Sequence, residues 1–394
     1  MRILPSLVGL CILLAACGAG SGAPASQAPV SHAAGPSTPS AGAAAASGQQ
    51  SQPSSQSWDD VLAAAKREGK VRVIVPPGDD FRAAATQFSS AYPSIQLSLT
   101  SEHIRDALPR IERERQGGIY SADLMVGAIG ADVFQQWIPH GVLDPLPPVL
   151  RLPEASDDSK WDNGFADGWM DAGKTYVYGF IGNHNSQAFV NRDLVSEQDV
   201  PNPARPEDLL NPKWKGKIVW DDPRELGQGV NLATAMFKAQ GGDYLKNLLT
   251  QQQPVLSRDL RQEAEWVVRG TNPIGLAVEA QQIGAFQKQG LGANVKPLAI
   301  DLGAVEAAPG FGVVAIFNKA QNPNAAAVFI NWLLSQQGQT EYARIRKDNS
   351  RRLDVPAGDE SSAPTHGVQH IDLQKEEFAA TRTQAAGIAR AARP

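Results

Sequence analysis

Any chemistry in this chain has to start from a short charged run, Asp221-Asp222-Pro223-Arg224-Glu225, followed by Gly227-Gln228-Gly229. A guanidinium is a rigid two-pronged donor suited to a carboxylate or phosphate. Glycines, lacking Cβ, let backbone N–H groups approach a ligand closely. The run follows Ile218-Val219-Trp220, which reads as a strand that stops at Asp222-Pro223. It precedes Leu232-Ala233-Thr234-Ala235-Met236-Phe237, which reads as a helix. Strand, polar loop and helix N-terminus together aim N–H groups outward, a place for an anion or a polar small molecule. Asp222, Arg224, Gly227, Gln228 and Gly229 are therefore candidate ligand contacts. The competing reading pairs Arg224 with Asp221 or Asp222 at the surface.

Four further places offer polar groups. Asp79 and Asp80 close the loop 76–80 and could touch a cation or hydroxyl group. Gly127 opens Gly127-Ala128-Ile129-Gly130, which follows an apolar strand. Asn183 and Asn185, in Asn183-His184-Asn185-Ser186, either face a cleft or make a turn, which their composition favours equally. Glu279 is either a lone ligand or a first-turn acid favoured by the helix dipole. One carboxylate is not a metal site.

Whole classes of function are absent from the pattern. The chain has no Gly-x-Ser-x-Gly elbow and no His-Glu-x-x-His pair. Its only cysteines are Cys11 and Cys17, so the body beyond them has no disulfide, thiol nucleophile or thiolate metal site. A net charge of −5 gives no basic surface for nucleic acid. No catalytic residue, resident metal or cofactor is expected.

The elements that must position these groups read in order. Residues 1–17 form an export signal: Arg2, then an apolar stretch too short to span a bilayer. Leu14-Ala15-Ala16-Cys17 looks like a lipobox, with Cys17 as the site of lipidation. Residues 18–57 are mostly Ala, Ser, Gly, Pro and Gln without one Asp, Glu, Lys or Arg, a disordered tether. The body opens with a helix at 58–69. The strand Val71-Arg72-Val73-Ile74-Val75, a helix over 81–92, the strand Ile95-Gln96-Leu97-Ser98-Leu99 and a helix over 105–116 follow. The strand Ala122-Asp123-Leu124-Met125-Val126-Gly127 comes next. This alternation predicts a mainly parallel, doubly wound α/β sheet. Ligands of such sheets sit outside the carboxyl ends of the strands.

The run Leu209-Leu210-Asn211-Pro212-Lys213-Trp214-Lys215-Gly216-Lys217-Ile218, with Asp222-Pro223 after it, resembles extracellular solute-binding proteins of ABC importers. The branch it is most similar to includes ferric-ion-binding proteins, and matching stretches extend from Trp58 to Arg352. The resemblance implies the type 2 periplasmic-binding-protein fold: two doubly wound lobes joined by two hinge crossings. Lobe 1 would be 58–187 plus 312–394, and lobe 2 would be 188–311. The first crossing would be Thr175-Tyr176-Val177-Tyr178-Gly179-Phe180 through Phe189-Val190-Asn191, and the return would be Pro309-Gly310-Phe311-Gly312-Val313-Val314-Ala315-Ile316. The implied partners are a small-molecule or ion ligand, an ABC permease and, through a lipid anchor, the membrane. A monomer outside the cytoplasm is expected, with no nucleic-acid partner. In the ferric branch two adjacent tyrosines hold the metal just inside the helix after the strand ending at Val278. Here that place reads Glu279-Ala280-Gln281-Gln282-Ile283, and none of the six tyrosines adjoins another. That departure argues against Fe³⁺ as the transported ligand, leaving a small polar or anionic solute ahead of iron or an iron chelate. A receptor reporting to a sensor kinase and an exported hydrolase are the remaining alternatives.

Overall fold

The computed structural model describes residues 57–184, 188–303, 307–364, 366 and 370–393. The signal expectation and the tether expectation over 18–56, Cys17 included, therefore lie outside the described residues, as does Asn185; Ser57, expected in the tether, instead caps the first helix. At the start of the described chain, Ser57 Oγ accepts the Asp60 N–H (3.2 Å) while Asp60 Oδ2 accepts the Ser57 N–H (3.3 Å). This reciprocal cap sets the start of α1 (Trp58–Glu68), and Gly69 at φ 68° ends it.

The chain then builds β1 (Lys70–Val75), α2 (Asp79–Ala91), β2 (Gln96–Ser101), α3 (Ile104–Gln116) and β3 (Leu124–Gly127). Both β2 and β3 lie parallel to β1. After the short β4 (Leu143–Asp144) and β5 (Tyr178–Gly179), β6 (Asn183–His184) carries the chain away to β7 (Ala188–Asn191). The second sheet continues through β8 (Ile218–Asp221), α4 (Gln228–Gln251), β9 (Val255–Ser257), α5 (Leu260–Arg269), β10 (Ile274–Leu276), α6 (Ala280–Gln287) and β11 (Val295–Leu298). The return passes through β12 (Ala307–Ala308) to β13 (Val313–Phe317), then α7 (Pro323–Leu334) and α8 (Gln336–Arg346). The last helix is α9 (Ala379–Ala392).

Sheet one has the order β2-β1-β3-β13-β4 with β5 on β13, and sheet two β11-β7-β10-β8-β9. Both are mixed, where the alternation of elements predicted mainly parallel sheets. The strands that follow the crossings, β7 and β13, run antiparallel to their neighbours. The pairing explains this: β13 begins at Val313 beside Gly127, the end of β3, and β7 begins at Ala188 beside Leu276, the end of β10. Each crossing strand thus enters at the carboxyl ends of the parallel strands and must run against them. The hinge itself is a ribbon in which β6 and β12 pair antiparallel, His184 opposite Ala307.

Two sets of apolar side chains fill the two lobes. Around sheet one, Val71 and Val73 of β1 cluster with Val328, Phe329 and Leu333 of α7. The N-terminus of α7 is held by Glu68, whose carboxylate accepts the Asn324 (3.2 Å) and Ala325 (2.7 Å) amides. Around sheet two, Ile218, Trp220 and Leu276 cluster with Leu232, Met236 and Leu245 of α4.

Residues 312–394 were expected wholly in lobe 1, and here the structure corrects the sequence. Ala385 and Ala389 of α9 belong to the α4 cluster of lobe 2, whereas Ala379 packs with Phe134 in lobe 1. The alanine-rich face of α9 is what permits this, because small side chains let two helices approach closely. Ile388 sits 3.2 Å from where a Cβ on Gly242 of α4 would lie. Ala385→Leu should therefore overpack this contact and cost about 1–3 kcal/mol in chemical denaturation. The same change at exposed Ala380 should stay within about 0.5 kcal/mol.

Candidate functional site

A cavity of about 470 Å³ opens between the carboxyl ends of the two sheets. Lobe 1 lines it with Pro76 after β1, Glu102 and His103 after β2, and Gly127 to Ile129 after β3. Lobe 2 contributes Asp221, Gly227, Gln228 and Asn231, then Arg258 to Arg261, and Ala277. Gly310 and Phe311 of the return crossing close the hinge side. Ala277 stands at φ 57°, a strained conformation for a residue with a Cβ.

Three of the residues singled out in the sequence, Gly127, Gly227 and Gln228, line this cavity. Arg224 does not serve it. Its fork closes on Asp222, with Nε to Oδ1 at 2.8 Å and Nη2 to Oδ2 at 2.9 Å, and its Nη1 donates to the Arg393 carbonyl. Burial alone would raise the Asp222 carboxyl, but the Arg224 side chain and amide outweigh it and hold the group below its ordinary value. The pairing alternative, which the charge spacing also allowed, is the one realised. The Gly229 N–H is likewise spent, donated to Asp221 Oδ2 at 2.7 Å. A Cβ on Gly229 would lie 1.8 Å from the Asp221 carbonyl oxygen, so glycine is required there.

Asp79 and Asp80 are not in a loop but in the first turn of α2. Asp80 takes the buried guanidinium of Arg346, which also reaches Asp348 at 3.2 Å and lies 3.6 Å over the Phe81 ring. Asn183 donates to Asp348 (3.0 Å) and accepts the Asn349 N–H (2.9 Å), fixing the hinge strand to lobe 1. Glu279 caps no amide of α6 with its side chain, accepts from Gln282 Nε2 at 3.3 Å and is half-buried. Burial raises its carboxyl above the ordinary range despite the Gln282 contact and nearby Arg346.

One spacing escaped the sequence reading: Gly168-Trp169-Met170-Asp171-Ala172-Gly173-Lys174-Thr175 fits the pattern of a phosphate-binding loop. Such a loop needs a strand before it and a helix after it. Here the Met170 N–H bonds back to the Val177 carbonyl, and the Asp171 carboxylate takes the amides of Thr175, Tyr176 and Val177 at 2.8–3.0 Å. The position a phosphate would occupy is filled from within.

The cavity's charged side chains are mostly committed as well. Glu102 grips Arg110, Asp221 holds α4, Asp259 caps α5 through the Gln262 N–H, and Arg258 reaches Glu225 at 2.6 Å. Arg261 is different. It stacks 5.0 Å over Phe286 and makes no ion pair or hydrogen bond with any described residue. Gln228 and Asn231, one turn apart on α4, also keep their amides unengaged among the described residues. Neither Arg261 nor Asn231 carries a local sequence signal; only the fold brings them to the cavity.

A sequence profile of the bacterial extracellular solute-binding protein family matches residues 83–367. No curated protein matches the chain. Among solved structures, iron-bound HitA from Pseudomonas aeruginosa is similar at 15% identity and a TM-score of 0.62, over 82% of this chain and 99% of that one. The Trichodesmium IdiA/FutA structure with iron and citrate ligands gives the same figures. AfuA from Actinobacillus pleuropneumoniae, with fructose-6-phosphate bound, is similar at 19% identity and a TM-score of 0.61, over 81% of this chain and 97% of that one. At these identities the likeness is one of fold.

Beneath the lobe 2 wall lies Glu263 of α5, fully buried. Burial first, and then the charge of Asp221, push its carboxyl from 4.5 up to about 8. Below about pH 4.5 folded and unfolded chains both hold this proton. Between there and pH 8 only the folded chain keeps it, so this group makes stability fall as pH rises. Glu263→Gln should remove that slope. In urea titrations across pH 5–8 it should gain on the parent steadily, by on the order of 2 kcal/mol at pH 8.

Proposed function

Because the chain belongs to the bacterial extracellular solute-binding protein family, we propose that it captures a small hydroxylated organic anion between its lobes. The captured solute would then be presented to an ABC permease. Members of this family bind small solutes outside the cytoplasm and serve ABC transport. The observation that carries the ligand class is the cavity's polar balance. Its acids are engaged by the protein's own donors, while Arg261, Gln228 and Asn231 are left for a guest. A volume of about 470 Å³ suits a ligand of this size. Two structures of similar fold are described with citrate and with fructose-6-phosphate, both hydroxylated anions.

A solute touching Arg261 in lobe 2 and the Gly127 segment in lobe 1 binds the closed arrangement better than the open one. That differential affinity drives closure about the β6–β12 ribbon. The permease then reads the closed lobes. Iron as cargo is the second reading, favoured by the ferric relatives alone. The cavity wall carries no tyrosine, and among the described residues no three His, Cys, Asp or Glu side chains gather as a metal would require. We further propose a non-catalytic monomer tethered by lipid at Cys17.

In a calorimetric titration, citrate or a hexose phosphate should bind, and Arg261→Ala should weaken binding about tenfold or more, the worth of one charged hydrogen bond. Stabilisation by ferric salts alone would overturn the reading. Cys17→Ser should abolish incorporation of radiolabelled fatty acid and move the protein from the detergent phase to the aqueous phase.

A further inference from the structure

Besides β6 and β12, the chain passes between the lobes a third time. Glu376 fixes the start of this passage to lobe 1: its N–H donates to the Met170 carbonyl at 2.8 Å, and its Oε2 accepts the Ala172 N–H at 2.7 Å. The first turn of α9 then packs in lobe 1 at Ala379, and its second half in lobe 2 at Ala385 and Ala389. Gln374, at the entry to this passage, lines the cavity.

Gln374 is 5% exposed; its Oε1 is buried without a partner, and its Nε2 makes no hydrogen bond with any described residue. Leaving such a group unpaired costs folding free energy, so an occupant that pairs with it removes a standing penalty. Its neighbours are clamped. Buried Arg382 donates to the Leu373 carbonyl and, at 3.2 Å, to the Lys375 carbonyl, while the Gln374 N–H is held by Asp372 Oδ1 at 2.8 Å. The backbone on both sides is fixed, and the side chain is the part with nothing to hold.

We propose that Gln374 hydrogen-bonds a hydroxyl of the captured solute, which makes the C-terminal passage a third wall of the binding site. This rests on the solute-binding reading of the cavity given above. An amide that both donates and accepts suits a hydroxyl, which does the same. Contact with the solute would also tie its arrival to the strap that joins α4 to lobe 1.

The test compares Gln374→Leu and Gln374→Asn with the parent by thermal unfolding without ligand and by calorimetry with citrate, fructose 6-phosphate and inorganic phosphate. Gln374→Leu should keep or raise the ligand-free Tm, since it removes an unpaired buried amide, while weakening the organic anion at least tenfold. Gln374→Asn should recover part of that loss. A lowered ligand-free Tm with unchanged affinity would assign the side chain to structure and overturn the proposal. If the parent binds none of the three probes, the anion reading fails. The ligand-free comparison then still judges Gln374, because a drop in Tm assigns the side chain to structure and overturns the proposal on its own.

Discussion

The structure depends on backbone N–H groups being met by the protein's own carboxylates at several of the places where one element hands over to the next. Asp221 takes the Gly229 N–H between β8 and α4. Asp171 gathers three amides ahead of the first crossing. Glu68 holds the start of α7, and Asp123 accepts the amides of Arg72, Gln321 and Asn322 at 2.9–3.2 Å. Each would be an anion site in a chain that left it open, because converging N–H dipoles favour negative charge. Filling them internally fixes the loops around the cleft. It also removes these places as docking points for a guest.

On the proposed reading, these filled places leave recognition more to side chains than to the loops they close. That shifts weight onto Arg261, Gln228 and Asn231, held on α5 and α4 and so placed by helices rather than by flexible segments. The opposite wall is built from turns after β1, β2 and β3. The side chains left without a partner among the described residues thus stand mainly on the second lobe and on the C-terminal passage, while Glu102 of the first lobe is already engaged by Arg110.

Local chemistry made much of the fold legible. The acidic and basic charges at the two ends of α1 and Gly69 mark that helix in the sequence, whereas its Ser57 cap lay within the expected tether. Asp222-Pro223 marks the end of β8, and Asn322-Pro323 the start of α7. The order of elements over residues 58–127 followed from the alternation of helix and strand signals. What stayed out of reach depends on distance in space. Arg224 had two partners available in principle, and spacing alone could not choose between a guest and Asp222 two residues away. Alanine-rich α9 carries no pattern that says which lobe it covers. Arg261 and Asn231 are ordinary polar residues on helices, and nothing near them in sequence marks a cavity.

The threading of the two lobes constrains when they can be finished. Sheet one has its interior strand β13 at residues 313–317 and its packing helix α7 at 323–334, far from β1 to β3. Sheet two lacks part of its cover until Ala385 and Ala389 arrive. A ribosome delivering the chain in order thus leaves apolar surface bare on both halves until residues far down the chain arrive. Such long sequence separations slow folding. In a family that works beyond the cytoplasm, such lateness would suit a polypeptide that has to be moved before it closes.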